Sequence, residues 1–274
     1  MNFPKLTILV KCLIYWMLFV FLLFLAGSFL SPIFPPEWER FVYGIFGSFA
    51  AILSTWVFLK YEKHNFKDSG LSWQKTTIPK FLSGILIGST IFIIIVLILI
   101  SFSELKLERT NKIFEPLSAF FYLSIIPLVL MEEIAFRAYP FLKLNQVFGL
   151  RFTQFIVALA FALYHIITGW NIQIAFLGPG IWALLFGIAA IWSKGIAFPT
   201  GIHVSLNLFQ KLIDMRGGGS ESFWVLKLAE NTTNESIAET ELAGLATQIF
   251  ILVLAICLTE WYLRKIHIRD VKPY

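Results

Sequence analysis

Long uncharged apolar runs dominate this sequence. Residues 13–30 read LIYWMLFVFLLFLAGSFL and residues 81–101 read FLSGILIGSTIFIIIVLILIS, with no charged side chain in either. A helix needs about 20 apolar residues to cross the hydrocarbon core of a bilayer. Charged residues make up 14% of the chain, whereas soluble domains contain about 25%. The sequence therefore predicts a polytopic membrane protein.

The length rule predicts an all-α fold with about eight transmembrane helices. The predicted spans are 9–30, 41–59, 80–101, 116–145, 149–169, 172–193, 196–213 and 243–263. The fourth is long, and Pro140 is expected to kink it near its end. The polar segments 60–79, 102–115 and 214–242 are expected to be loops.

These spans form three regions along the chain. Residues 1–110 contain the N-terminal transmembrane helices, and residues 115–213 form a core that carries the polar residues described below. Residues 214–274 are expected to form an extracytoplasmic loop and a C-terminal transmembrane helix. The bilayer is thus the first partner that the sequence predicts.

Lys and Arg are distributed unequally between the two sides. With the N-terminus in the cytoplasm, the inner segments contain 14 of these residues and the outer loops contain 7, while Arg137 lies within a span. Cytoplasmic loops carry an excess of Lys and Arg, so both termini are predicted to be cytoplasmic. The net charge of +5 reflects these loops and does not indicate nucleic-acid binding.

A few ionisable residues lie inside the predicted spans. They are Glu132, Glu133, Arg137, His165 and His203. A charge at the bilayer centre costs at least ~2.5–3.5 kcal/mol, so such residues usually mark a functional site. A structural role is the alternative, because Glu133 and Arg137 at i and i+4 could form an ion pair and a histidine could join two helices. That alternative leaves Glu132 unexplained.

The spacing of these residues predicts that they converge. Glu132 and His165 are equally distant from a turn at Gly149, so antiparallel helices would place them at one depth, about 25 Å from the turn. His203 and Asn207 are four residues apart and share a helix face, which is expected to lie toward the inner leaflet. Phe161 is one turn before His165 and is expected to pack beside it.

The polar residues of the predicted spans exclude several kinds of hydrolytic site and leave two kinds possible. The sequence contains no H-E-x-x-H, no mid-span aspartate pair and no G-x-S-x-G, the motifs or pairs that other proteases use. A glutamate could activate water while imidazole and amide groups stabilise an oxyanion. Alternatively, Glu132, His165 and His203 could hold one Zn²⁺ with a position open for water. The predicted cofactor is therefore either none or zinc.

Three short motifs carry a resemblance to a known family. EEIAFR at 132–137 matches E-E-x-x-x-R, FALYH at 161–165 matches F-x-x-x-H, and HVSLN at 203–207 matches H-x-x-x-N. In this order they resemble the CPBP family, over about residues 115–210. The family comprises the type II CAAX prenyl proteases, or Ras-converting endopeptidases, and bacterial relatives linked to bacteriocin self-immunity and peptide processing.

The resemblance implies an eight-helix intramembrane protease whose cavity opens toward the cytosol. By that resemblance Glu132 would activate water with the help of His165, and His203 and Asn207 would stabilise the oxyanion. The supporting residues would be Glu133, Arg137 and Phe161.

The expected function is that of an endopeptidase acting on a membrane-associated peptide, either prenylated or bacteriocin-like. One alternative is a non-catalytic immunity or scaffold protein that binds a bacteriocin or another partner through the same cavity. Another is a transporter that uses the buried charges as a proton relay.

Overall fold

The structure is a computed structural model that describes residues 3–113, 122–215, 222–228 and 233–271. Helices account for most of these residues. They are α1 (Phe3–Leu25), α2 (Glu39–Tyr61), α3 (Thr77–Ser101), α4 (Ile125–Arg137), α5 (Tyr139–Phe148), α6 (Leu150–Ile167), α7 (Ile172–Ala175), α8 (Ile181–Ser193), α9 (Ala197–Leu212) and α10 (Asn234–Val271). Short π-helical segments extend α1 over Ala26–Leu30 and join α7 to α8 over Phe176–Gly180.

Long apolar helices confirm the all-α polytopic membrane fold. Among the described residues, six segments are long and apolar enough to cross a bilayer: Lys5–Leu30, Pro36–Tyr61, Thr77–Ser101, Leu150–Ile167, Ile172–Ser193 and Asn234–Ile266. The predicted spans 116–145 and 196–213 are not among these six. Helix α4 has 13 residues and α9 has 16, and residues 116–121 of the fourth predicted span lie outside the described part. These two shorter helices carry most of the polar motif residues.

The predicted fourth span is divided into two helices. Helix α4 ends at Arg137, Ala138 has φ −86° and ψ −113°, and α5 begins at Tyr139 with Pro140 in its first turn. A proline in the first helical turn loses no hydrogen bond, because the N–H groups there have no partner within the helix. The expectation of a kinked but continuous helix was therefore wrong, since Pro140 begins a new helix.

A small sheet replaces part of two predicted loops. Strands β1 (Leu105–Arg109), β2 (Ile213–Asp214) and β3 (Trp224–Leu228) lie in the order β1-β3-β2, with β1 antiparallel and β2 parallel to β3. In LKLER, leucines alternate with charged residues, which is the period of a strand.

The last helix also begins at Asn234, nine residues before its predicted start, because a rule based on apolar length omits the polar first turns of a helix.

Ion pairs bring several helix ends together at one end of the bundle. Glu62, after α2, binds Lys11 Nζ of α1 at 2.7 Å and Lys143 Nζ of α5 at 2.6 Å. Lys80 Nζ in the first turn of α3 donates to the carbonyl of Ser193 at the end of α8, at 2.8 Å. We call this the basic end. The sheet lies at the opposite end, because its strands follow the C-termini of α3 and α9.

Helices α3 and α9 pack closely through glycines. A Cβ atom at Gly84 would meet the carbonyl oxygen of Phe198, and a Cβ atom at Gly201 would meet that of Phe81. Small residues allow the backbones of membrane helices to approach in this way. The contact fixes the position of α9, which carries His203 and Asn207.

Substitution Gly84→Ala is expected to destabilise the protein by about 1–3 kcal/mol, the usual cost of overpacking a close contact. The measurement is thermal unfolding in detergent. Gly244→Ala is the matched control, because nothing lies within 4 Å of a Cβ atom there. Equal unfolding temperatures for both variants would contradict the assigned contact.

The Glu62 ion pairs predict a pH-dependent stability. Burial works to raise the pKa of Glu62, but the hydrogen bonds from Lys11 and Lys143 outweigh it and the pKa lies below its ordinary value. The stabilisation is therefore complete above the pKa of Glu62 in the unfolded chain. It is lost as the pH falls through the lower pKa in the folded protein.

We expect Glu62→Gln to be less stable than the wild type at neutral pH, with a difference that shrinks on acidification. Unfolding temperatures across an acidic pH series measure this effect. A difference that stays constant over the series would show that the charge of Glu62 is not its source.

Candidate active site

Helix α4 presents two adjacent glutamates to different surroundings. Successive side chains on an α-helix are about 100° apart, so Glu132 and Glu133 cannot share a direction. Glu133 is fully buried, whereas the side chain of Glu132 remains 15% exposed. Arg137, one turn after Glu133, is also buried, and its Nε lies 3.6 Å from Glu133 Oε2. The predicted i, i+4 ion pair is therefore confirmed.

Glu132 faces two imidazole rings across a narrow gap. Its carboxylate oxygens lie 3.9 Å from Nε2 of His165 on α6 and 3.6 Å from Nε2 of His203 on α9. These distances exceed those of ordinary hydrogen bonds, and water commonly bridges polar groups at such separations. Glu132 and His165 therefore converge as predicted, but not through a simple hairpin: α5 intervenes between α4 and the turn at Gly149, which adopts φ +79°.

Each imidazole is oriented through its other nitrogen. His165 Nδ1 lies 2.9 Å from the carbonyl oxygen of Phe161, and His203 Nδ1 lies 2.9 Å from Glu133 Oε1. Both partners are acceptors, so each Nδ1 carries the proton and donates it. In the neutral rings, Nε2 is then the unprotonated nitrogen. Both lone pairs therefore point into the gap beside Glu132.

Aromatic rings surround the buried Arg137. Its guanidinium carbon lies 4.4 Å from the ring centre of Phe161, 5.4 Å from that of Phe186 and 5.9 Å from that of Phe136. No nitrogen of this guanidinium has a hydrogen-bond partner among the described residues. Cation–π attraction and the charge of Glu133 therefore replace the missing hydrogen bonds.

Two of these rings also hold the histidines in place. Phe161 meets His165 edge to face at 4.6 Å, as expected from its position one turn earlier, and Phe186 of α8 stacks on His203 at 4.4 Å. The sequence did not indicate Phe186, because a phenylalanine inside the apolar run IWALLFGIAAIW has nothing to distinguish it. Trp170 packs against His165 at 5.0 Å and was also missed.

A cavity of about 1450 Å³ opens above these groups. Glu132, His165, His203 and Asn207 all line it, together with Tyr43 and Gln248 from α2 and α10. Cavities that bind small molecules usually have volumes of about 300–1,000 Å³. This one is large enough for several residues of an extended peptide.

The donor types of Glu132, His165 and His203 suit Zn²⁺, which binds carboxylate oxygen and imidazole nitrogen at about 2.0–2.2 Å. Their spacing is wider than that of a bound set. Within the four described ranges, no group of three or more His, Cys, Asp or Glu side chains is arranged to hold a metal ion. These side chains therefore do not fit a preformed metal centre in this arrangement, and zinc stays a prediction for these three residues.

The fold and the site together define a class of protein. The chain is an integral membrane protein with a buried carboxylate and two histidines below a large cavity. Residues 113–209 match the family model of type II CAAX prenyl endopeptidase Rce1-like proteins. The match contains all three motifs and confirms the resemblance to the CPBP proteases. No curated protein is detectably similar to the chain.

Substitution Arg137→Met is expected to lower the free energy of unfolding by about 3–5 kcal/mol, since it leaves Glu133 buried without its cation. Thermal unfolding in detergent measures the loss. Arg151→Met is the control, because Arg151 pairs with Glu260 in an exposed position, where ion pairs contribute little. Comparable losses in both variants would contradict the assigned role of burial.

Proposed function

We propose that this protein is an intramembrane endopeptidase that hydrolyses a peptide bond by glutamate-activated water. The observation that supports this most is the arrangement of Glu132, with its carboxylate facing Nε2 of both His165 and His203 at the floor of the cavity. A carboxylate that only neutralised a buried cation would sit against Arg137, and Glu133 already does so.

In the proposed first step, Glu132 removes a proton from a water molecule held in the gap. His165 accepts the second hydrogen bond of that water through Nε2, because its Nδ1 proton is directed to the Phe161 carbonyl. The water oxygen attacks the carbonyl carbon of the substrate and forms a tetrahedral oxyanion. Glu132 acts as a general base, which typically contributes about 10²–10⁴-fold to the rate.

His203 and Asn207 are proposed to stabilise this oxyanion. The Asn207 side-chain amide can donate a hydrogen bond, and so can Nε2 of His203 when the ring is protonated. Glu133 orients the ring for this role, since its carboxylate accepts the Nδ1 proton at 2.9 Å. The intermediate then collapses, the C–N bond breaks, and Glu132 returns its proton to the leaving amine.

The substrate is proposed to be a membrane-associated peptide, either prenylated or bacteriocin-like. The cavity lies among apolar helices and is lined by both polar and apolar side chains, which suits a peptide bound at the membrane. Both termini are proposed to be cytoplasmic, on the basis of the Lys and Arg distribution. The alternative is a non-catalytic immunity or scaffold protein that uses the same cavity for binding.

Substitution Glu132→Gln is expected to reduce peptide cleavage by about 10²–10⁴-fold, because the amide cannot accept the proton from water. The purified protein is incubated with lipidated and amphipathic peptides, and the product termini are identified by mass spectrometry. Glu239→Gln, on the exposed face of α10, should cleave like the wild type. Metal analysis of the same preparation tests the zinc prediction.

Separate Glu132→Gln and His203→Ala variants also distinguish catalysis from binding. If cells expressing either variant keep a peptide resistance that the wild type provides, cleavage is not the physiological role. Loss of resistance together with loss of cleavage, at normal expression, supports the protease.

A further inference from the structure

The rim of the cavity is formed by chain segments from one end of the bundle. They are the first turn of α2, the connection after α6 and the first half of α10, which contribute Glu39, Arg40, Trp170, Asn171, Gln173 and Glu241. The floor lies deeper, at Glu132 and His203. The rim forms the mouth of the cavity. His165 lies close to this mouth, because α6 ends two residues later at Ile167.

The mouth lies opposite the basic end. Helix α2 begins with Glu39 at the rim and reaches Tyr61, next to Glu62 and its two lysines. Its 23 residues correspond to about 34 Å of helix, enough to cross the hydrocarbon core. Helix α6 gives the same direction, because it starts at the Gly149 turn after α5, which carries Lys143, and ends at the mouth.

Charge then assigns a side of the membrane to each end. Among the described residues, the segments at the basic end contain 13 Lys and Arg residues, and those at the mouth end contain 6. The richer side is the cytoplasmic one by the positive-inside rule. The two sequence expectations, cytoplasmic termini and a cavity open to the cytosol, are therefore incompatible in this fold. One of them must be abandoned.

We infer that the cavity admits its substrate from the extracytoplasmic side of the membrane. This inference uses the proposed function only in treating the occupant as a substrate, since the direction of the mouth does not depend on catalysis. A prenylated protein made in the cytosol would have to cross the bilayer to reach Glu132. A peptide bound to the outer leaflet would reach it directly.

The mouth also indicates the chemistry of that peptide. Ile174, Leu242 and Leu245 line the cavity and are 49%, 66% and 42% exposed, so one wall of the mouth is apolar. Glu39 and Gln173 give the rim polar groups. An amphipathic peptide lying in the outer leaflet fits both surfaces, with its apolar side toward the leucines and its polar side toward the rim.

Cysteine labelling tests the direction of the mouth. In a background with Cys12→Ser and Cys257→Ser, single variants Gln173→Cys and Lys75→Cys place a thiol at the mouth and at the basic end, both at exposed positions. A membrane-impermeant maleimide is added to intact cells, and labelling is compared before and after permeabilisation. We expect Gln173→Cys to be labelled in intact cells and Lys75→Cys only after permeabilisation.

The reverse pattern would overturn the inference and place the mouth in the cytosol. Labelling of both variants in detergent shows that each is folded and reactive, and Gln173→Glu with no added thiol gives the background signal. This result is independent of enzymatic activity, so it stands even if Glu132→Gln has no effect on cleavage.

A second measurement tests entry of the peptide itself. An amphipathic peptide is supplied either outside sealed right-side-out vesicles or trapped inside them. Product is expected only from the outside peptide, and loss of that product in Glu132→Gln assigns it to this protein. Product from the trapped peptide alone would overturn the inference, whereas no product in either compartment would count against the proposed function and leave the labelling result to decide the direction.

Discussion

The burial of Glu133 is the constraint on which the site depends. A carboxylate without a partner at this depth would be strongly destabilising, and here its two oxygens face Arg137 and His203 on different helices. The same contacts join α4 to α9 and fix the ring of His203. Because consecutive side chains diverge around a helix, the partnered Glu133 also determines where Glu132 must point. One structural carboxylate thus orients the neighbouring one toward the gap.

Helices α4 and α9, which carry most of the polar motif residues, are held in place by the long apolar helices. Helices α4 and α9 are short and contain ionisable residues, so neither has the length and apolar composition expected of an independent span. Gly84 and Gly201 let α3 approach the backbone of α9, while Ser48 of α2 donates to the carbonyl of Pro127 in α4 at 2.9 Å. Long apolar helices therefore position the elements that could not insert well alone.

Local spacing predicted the pairing of Glu133 with Arg137, because that contact follows from helix geometry alone. Glu132 and His165 also meet as expected, although α5 interrupts the hairpin that this prediction assumed. Contacts between distant helices were not predictable in this way. Phe186 stacks on His203 only because α8 packs beside α9, and no periodicity in an apolar run marks such a residue. The strand at 105–109 had a visible alternation, but the apolar length rule does not examine polar segments. The sequence alone could not predict the direction in which the cavity opens, because the rim residues that define it are far apart in sequence.

The three-stranded sheet has a consequence for how the cavity adapts to different occupants. It ties the chain that leaves α3 to the chain that leaves α9, and the glycine contact restrains the same two helices nearer the basic end. The wall carrying His203 is thus braced along its length by α3 and the sheet. The opposite wall has more room for occupants of different shape, because the π-helical turn at Phe176–Gly180 and the open surface around Gly244 leave space there. Changes in α7 and α10 would then alter the shape of the cavity without disturbing His203.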